Sequence, residues 1–318
     1  MGRGRSEKSI ELVDTAHEIL AEIQPASVRA VCYQLFIRGL IADMSKASTN
    51  RVSSLLTSAR EEGEIPWQWI LQEGRAIESV STWDNPAAYA RAVQASYRLN
   101  KWAGQPKRVF VVSEKGTVRG TLGPVLDEFE VDFLAVGGYA GASRVREVAQ
   151  QATKERPLLL LYLGDHDPSG RGMSDDDLPR RLLRYARDSR ADKEWKRELK
   201  KHSTDVITAY SAEHFGIELH RIALTIEDTE ALGRDLAFPT SDKTGDSRYA
   251  SFAEEYGAWC WELDALNPNV LRERVRDAIR AELDFVQWER YMAAEEAERA
   301  SITAALESWN SISGLARE

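Results

Sequence analysis

The chain has 318 residues, of which 43% are hydrophobic and 29% charged, as is typical of a soluble globular protein with one large domain or two smaller ones. No apolar run approaches the roughly 20 residues of a membrane-spanning helix, and two cysteines are too few for a disulfide framework or a zinc site, so we expect no membrane partner and a cytoplasmic location. The net charge of −9 does not favour a general binder of polyanions. Residues 1–110 carry 14 basic and 12 acidic side chains, whereas the remainder carries 28 basic and 39 acidic ones. Any DNA binding is therefore expected mainly in the amino-terminal region.

Three short helices are predicted in that region. Apolar residues recur at helical spacing over residues 7–23, again after Pro25, and a third time after the polar stretch 46–50. Trp67 and Trp69 then alternate with polar residues, which predicts a short hairpin, or wing.

Three helices followed by a wing are typical of a winged helix-turn-helix domain, whose third helix enters a DNA groove. Here that helix carries Arg51 and Arg60 on its surface, and both are candidate DNA-binding residues. A small helical cap that packs its apolar faces on the main domain is the alternative interpretation of the same pattern. A Gly-Gln-Pro sequence at 104–106 follows a further predicted helix at 85–102 and suggests a domain boundary near residue 104.

Beyond this boundary, predicted strands and helices alternate. The strands fall at 108–113, 131–136 and 157–163, the helices at 117–128, 142–153 and 175–188, a further helix–strand unit lies near 204–222, and helices fill 268–312. Such alternation predicts a parallel sheet with helices on its faces. We therefore predict an α/β chain with a winged-helix domain over residues 1–104 and a Rossmann-like domain with a carboxyl-terminal helical extension over residues 105–318.

Acidic side chains follow two of the predicted strands. The apolar run that ends at Leu163 leads into Asp165 and Asp167, and the strand at 108–113 leads into Glu114. Carboxyl ends of parallel strands lie at one edge of a sheet, and alternate residues of an extended segment point the same way, so these carboxylates can converge on one hard cation. We expect Mg²⁺, with Mn²⁺ as a substitute. The alternative is that these acids cap helices or shape turns. His166, between the two aspartates, is expected to face away and is given no catalytic role.

Four other features have both a functional and an ordinary interpretation. Lys115 could contact a DNA phosphate or lie solvated on a loop, and the polar loop 243–248 could touch DNA or be plain surface. The acids at 175–177 could add a metal ligand or complement a helix dipole. The helix predicted over 285–312 could form a dimer seam or pack within the chain.

The acidic pattern resembles a known family. Glu114 at one strand end and Asp-His-Asp-Pro-Ser-Gly at 165–170 are similar to a Toprim domain, in the form found in the A subunit of type IIB DNA topoisomerases and the related meiotic double-strand-break transesterase. In that family a winged-helix domain precedes the Toprim domain and carries the tyrosine that attacks DNA. The segment from Ser27 to Tyr33 is similar to the family's tyrosine motif, with Cys32 where the family usually has an aromatic residue. The resemblance spans about residues 25–180, and it is to short, stand-alone A-subunit-like proteins in particular.

The resemblance implies Mg²⁺-dependent cleavage of double-stranded DNA by transesterification, with the protein left on a 5′ end. Tyr33 would be the nucleophile and Arg29 its basic neighbour. Glu114, Asp165 and Asp167 would hold the metal, and Glu114 could instead act as general acid to the departing 3′ oxygen.

The family also implies partners. In it the tyrosine of one protomer works with the metal site of the other, which implies a homodimer, and the topoisomerase has a separate ATPase partner, although nothing in this chain resembles the ATPase subunit. Two other functions stay open. One is a Toprim nuclease that cuts DNA hydrolytically without Tyr33, and the other is a non-enzymatic winged-helix DNA-binding protein with a structural metal.

Overall fold

The computed structural model describes residues 5–71, 80–137, 141–186 and 201–315, without the side chains of residues 141 and 309–315. Its described residues group into two compact units, one within residues 1–73 and 109–281 and the other within 74–108 and 282–318. The α-helices are α1 Glu7–Ile23, α2 Val28–Ile37, α3 Lys46–Glu61, α4 Pro86–Ser96, α5 Val118–Phe129, α6 Gly141–Ala149, α7 Pro168–Gly172, α8 Leu178–Ala186, α9 Thr204–Phe215, α10 Ile226–Leu232, α11 Tyr249–Tyr256, α12 Pro268–Arg280 and α13 Phe285–Leu315. The strands are β1 Arg108–Ser113, β2 Asp132–Ala135, β3 Leu158–Leu163, β4 Ile217–Ala223, β5 Phe238–Pro239 and β6 Trp259–Cys260. The domain boundary near residue 104 stays a prediction.

The amino-terminal helices α1, α2 and α3 pack around a shared apolar core, as their periodicity predicts. Fully buried members of this core are Ile19 and Leu20 from α1, Leu35 from α2, and Leu56 from α3. The second helix begins where Ser27 accepts the Ala30 N–H at 3.0 Å, which satisfies one of the free donors of the first turn. The packing fixes which face of α2 points away from this core.

The predicted hairpin at Trp67 and Trp69 is wrong for these residues, because Trp67–Trp69 form a single 3₁₀ turn. Ile70 and Leu71, which follow this turn, lie beside Ala26, two positions before α2. Ala26 donates its N–H to the Trp69 carbonyl at 3.0 Å and accepts the Leu71 N–H at 2.9 Å. The neighbouring residues 72–79 lie outside the described part of the chain.

A four-stranded parallel sheet in the order β2-β1-β3-β4 gives the larger unit its α/β character. All six residues of β3 are buried, as expected for a central strand covered on both faces. The predictions at 108–113, 131–136, 157–163 and 204–222 are confirmed to within about two residues at each end. The antiparallel pair β5–β6 was not predicted, because each of its strands has only two residues.

The helix expected at 175–188 begins earlier, at Pro168. Asp167 accepts the Gly170 N–H at 2.7 Å and Pro168 occupies the first helical position, and these two features together begin a helix immediately after the acidic strand end. Residues Met173–Asp177 then form a π turn between α7 and α8. A widened turn of this kind is often found at functional sites.

Buried Arg272 on α12 joins the amino-terminal helices to the helices beside the sheet. Its guanidinium donates to the carbonyls of Ile23 at 2.9 Å and Pro25 at 2.5 Å, and to that of Thr121 on α5 at 2.8 Å. Three backbone acceptors are satisfied by one side chain. The stretch that leads into α2 is therefore fixed to the same framework as the sheet.

The smaller unit pairs α4 with the long helix α13. Lys101 Nζ lies 2.6 Å from the Glu295 carboxylate, with both side chains buried, and Trp102 meets Trp288 edge to face at 5.9 Å between ring centres. None of the described helices of the chain is long and apolar enough to cross a membrane.

Candidate functional site

The predicted acidic residues lie at one edge of the sheet. Strands β1 and β3 are neighbours, Glu114 directly follows β1, and Asp165 and Asp167 follow β3. The carboxyl ends of adjacent parallel strands are where open α/β sheets bind ligands.

Two glycines allow the loops at this edge to approach each other closely. A Cβ atom on Gly170 would lie 2.2 Å from the Asp165 carbonyl oxygen, and one on Gly137 would lie 2.5 Å from that of Glu114. Both distances are far below contact distance, so a larger residue would push the acidic loops apart.

Asp165 and Asp167 each pair with a different lysine. Lys115 Nζ lies 2.7 Å from Asp165 Oδ2, and the other oxygen of that carboxylate accepts the Leu263 N–H at 2.9 Å. Lys243 Nζ lies 3.0 Å from Asp167 Oδ2. Burial works to lower the pKa of each lysine, but the adjacent carboxylates outweigh it and hold both values above normal. Both ammonium groups are therefore charged at neutral pH.

Glu114 is held differently. The Ser169 hydroxyl donates to Glu114 Oε1 at 2.9 Å, and Arg248 Nη2 lies 3.3 Å from that hydroxyl. Arg248 is in turn paired with Asp246 at 2.8 Å. The polar loop 243–248, left open between DNA contact and plain surface, thus contributes Lys243 and Arg248 to the acidic edge.

The donor set suits Mg²⁺, because it consists of three carboxylates and a hydroxyl, all hard oxygen ligands. Within the described ranges, no three acidic, histidine or cysteine side chains are gathered closely enough to enclose a metal ion. The structure thus brings Glu114, Asp165 and Asp167 to one edge without joining them into a single ligand group, and lysines provide the positive charge there. If the metal binds, these three carboxylates and Ser169 are the residues to hold it.

Arg221 on β4 binds the acidic loop, and sequence reasoning missed this role. Its guanidinium donates to the carbonyls of Gly164 and Gly170 at 2.9 Å and of Asp165 at 2.5 Å, and to the Ser174 hydroxyl at 2.7 Å. Burial, followed by the charge of Arg171, lowers the pKa of Arg221. An arginine that binds several carbonyls of one loop fixes the shape of that loop.

His166 is buried away from solvent among Phe252, Tyr256 and Trp261, with ring centres 5.1–5.8 Å apart. Its backbone exchanges hydrogen bonds with Trp261. Burial, with help from Arg171 and Arg221, lowers the pKa of His166 to about 4, so the imidazole is neutral at physiological pH. Its surroundings are those of a packing residue.

Tyr33 and Arg29, the candidate nucleophile and its neighbour, share one carboxylate. Arg29 pairs with Glu262 through two nitrogens, Nε and Nη2, the latter 2.6 Å from Oε1. The Tyr33 hydroxyl lies 3.4 Å from Glu262 Oε2. Tyr33 is only 3% exposed, and burial together with the Glu262 charge raises the pKa of its phenol above normal despite the opposing charge of Arg29. Arg29, Tyr33, Glu262 and Phe238 are among the residues that line a cleft of about 330 Å³.

The segment 262–264 connects this tyrosine pair to the acidic edge. Glu262 binds Arg29 and Tyr33, Asp264 accepts the Ser27 hydroxyl proton at 2.7 Å, and the Leu263 N–H between them donates to Asp165. Sequence reasoning missed both acidic residues, since nothing local distinguishes them from surface acids. Glu262 and Asp264 lie more than 220 positions in sequence from Ser27, Arg29 and Tyr33, and only the folded chain brings them into contact.

The remaining candidates are placed as follows. Arg51 is exposed on α3, and Arg60 on the same helix stacks its guanidinium 4.7 Å from the centre of the Trp67 ring. Among the described residues neither has a carboxylate within salt-bridge distance. Lys115, the third predicted DNA-binding residue, is instead paired with Asp165. The acids at 175–177 each pair with an arginine four residues away, Arg171, Arg180 or Arg181.

Comparisons with protein-family models, curated proteins and solved structures give no match to this chain.

Proposed function

We propose that the protein cleaves double-stranded DNA in a Mg²⁺-dependent transesterification through Tyr33, with Glu114, Asp165 and Asp167 as the metal-binding residues. In this proposal the amino-terminal helices act as a winged-helix domain and the sheet as a Toprim domain. The observation that carries the proposal is the segment 262–264. It touches Tyr33 and Arg29 on one side and Asp165 on the other, within a single compact unit.

The chemistry follows from these contacts. The phenol must lose its proton before it attacks, and Glu262 is the carboxylate within reach of that proton. The Tyr33 oxygen then bonds to phosphorus while the bond from phosphorus to the 3′ oxygen breaks. The departing oxygen takes a proton from water, or from a protonated Glu114 if that residue acts as general acid instead of holding the metal. Arg29 lies 5.9 Å from the centre of the Tyr33 ring and can bind a non-bridging phosphate oxygen once it exchanges Glu262 for the phosphate. Bound Mg²⁺ would supply charge neutralisation at the phosphate.

The composition of α3 supports a DNA-binding role for the amino-terminal helices. The helix contains three basic side chains, Lys46, Arg51 and Arg60, and one acidic side chain, that of its last residue Glu61. The remaining exposed positions of the helix include Asn50 and Ser54, which can hydrogen-bond to phosphates or base edges.

One observation favours hydrolysis as a second candidate. Tyr33 is buried, its hydroxyl is occupied by Glu262, and its raised pKa makes it a weak nucleophile in this state. A metal-activated water at the same acidic edge could attack the phosphate while Tyr33 stays buried, protonated and bound to Glu262.

A plasmid cleavage assay tests both candidates. Supercoiled DNA is incubated with Mg²⁺ or Mn²⁺ and native protein, Y33F or D165N, stopped with detergent, and run with and without protease. We expect cut DNA that carries covalently bound protein, lost in Y33F and in D165N. Free ends that persist in Y33F but not in D165N would identify a hydrolytic nuclease. Intact plasmid with retained DNA binding would make the protein a binding module.

A further inference from the structure

Two lysines from distant parts of the chain converge on the acidic edge. Lys115 follows β1, and Lys243 ends the 3₁₀ turn Thr240–Lys243, which follows β5. Each places its ammonium group within 3.0 Å of one of the two aspartates proposed to bind metal. Together they carry a charge of +2, which is the charge of one divalent cation.

We propose that Lys115 and Lys243 take the place of the divalent cation in the metal-free protein, and that the cation binds by displacing both ammonium groups from Asp165 and Asp167. This inference rests on the proposed metal site and adds a competition between two lysines and the metal for the same oxygen atoms.

Burial explains why a substitute cation is needed. The Asp167 side chain is only 4% exposed and that of Asp165 12% exposed, and a buried carboxylate without a counter-charge is costly. The lysines hold the strand ends in their metal-binding positions without the metal.

Exposure also explains why the lysines can leave. Both lysine side chains are 39% exposed, so their stems can turn into solvent without opening the core. A divalent cation on the same oxygens would lie within a few ångströms of each ammonium group, and at that distance the repulsion would force the lysines away.

The released groups would not be far from the nucleophile. The charges of Glu262 and Asp264 act on Lys115, and Lys243 Nζ lies 5.4 Å from the ring centre of Phe238, which lines the cleft that contains Tyr33. Metal binding would therefore leave two unpaired ammonium groups beside the place where the scissile phosphate must lie.

Equilibrium binding of Mn²⁺, followed by the electron paramagnetic resonance signal of the free ion, tests this without any DNA or activity. K115M and K243M keep the length of the stem and lose the charge, so each should bind Mn²⁺ about fivefold to tenfold more tightly than the native chain. K154M is the matched control, because Lys154 is exposed before the amino end of β3, at the opposite edge of the sheet, and its affinity should be unchanged.

Charge-retaining variants guard against a folding artefact. K115R and K243R keep the competing charge, so their Mn²⁺ affinity should equal that of the native chain or fall below it, and circular dichroism checks that every variant is folded. If K115M and K243M bind Mn²⁺ as tightly as the native chain while D165N and D167N lose binding, the displacement is wrong and the metal site is retained. If D165N and D167N bind Mn²⁺ as tightly as the native chain, both the displacement by metal and the proposed metal site are wrong.

Discussion

At the scale of single residues, Glu262 is the acidic side chain that contacts both Arg29 and Tyr33. The Glu262 carboxylate accepts hydrogen bonds from Arg29 Nε and Nη2 and from the Tyr33 hydroxyl. Its negative charge helps to raise the pKa of the Tyr33 phenol. E262Q keeps the size of the side chain and removes the charge, so we expect the pKa of Tyr33 to fall.

Ultraviolet difference titration measures this change, because tyrosinate absorbs where tyrosine does not. Subtracting the Y33F curve in each background isolates Tyr33 from the other nine tyrosines. E254Q is the control, since Glu254 is exposed on α11, away from the cleft. A Tyr33 titration that is the same with Glu or Gln at position 262 would show that the carboxylate does not govern the phenol.

His166 gives a second prediction at this scale. Burial lowers its pKa to about 4, whereas in the unfolded chain it should titrate near 6.5. The unfolded state therefore takes up the proton first, and the stability that depends on a neutral imidazole is complete above about pH 6.5 and is lost as the pH falls towards 4. The loss amounts to about 3 kcal/mol at most.

H166F keeps an aromatic ring in contact with Phe252 and Trp261 and cannot take up a proton. We expect the free energy of unfolding in urea to fall less between pH 6.5 and 4 in H166F than in the native chain. Parallel pH profiles for the two proteins would mean that the imidazole is not held neutral in the folded state.

At the scale of elements, the turn from β3 into α7 depends on Gly170. A methyl group there would lie 2.2 Å from the Asp165 carbonyl oxygen, and the Gly170 N–H is the donor that Asp167 accepts at the start of the helix. We expect G170A to lower the free energy of unfolding by about 1–3 kcal/mol, because the backbone must shift in a tightly packed turn. G245A is the control, because a Cβ on Gly245 meets nothing within 4 Å. Equal unfolding midpoints in urea for the two variants would contradict this account of the turn.

The elements also show what the sequence could and could not predict. Strands β1 and β3 are marked by unbroken apolar runs with acids at their ends, a local signal that survives folding. The start of α7 was missed because the helix was predicted to begin at residue 175, although helix capping by these acids was the alternative interpretation and Asp-Pro is a helix-start signal. The contacts of Glu262 and Arg221 lay beyond sequence reasoning, since each joins segments that are brought together only when the sheet has formed.

At the scale of the whole molecule, a net charge of −9 opposes DNA binding, and the basic groups nearest the site are already paired with acids. Arg29 is bound to Glu262, Lys115 to Asp165 and Lys243 to Asp167. In the proposed function, the basic side chains of α3 hold the DNA, and contact of a phosphate with the site requires that some of these internal pairs be broken.

The D165N/D167N double variant breaks the Lys115–Asp165 and Lys243–Asp167 ion pairs without metal. We expect this variant to gain affinity for DNA, whereas a simple loss of function would predict no gain. It cannot hold Mg²⁺ as proposed, yet it frees Lys115 and Lys243, so in the presence of a chelator its affinity for a DNA duplex should exceed that of the native chain. The salt dependence should steepen as well, since each ammonium group that reaches a phosphate releases counterions. Fluorescence anisotropy at two or more salt concentrations gives both quantities. The E254Q/E255Q control also removes two negative charges, in this case from exposed positions on α11. An equally large gain in DNA affinity in that control would mean that the change in net charge alone explains the effect.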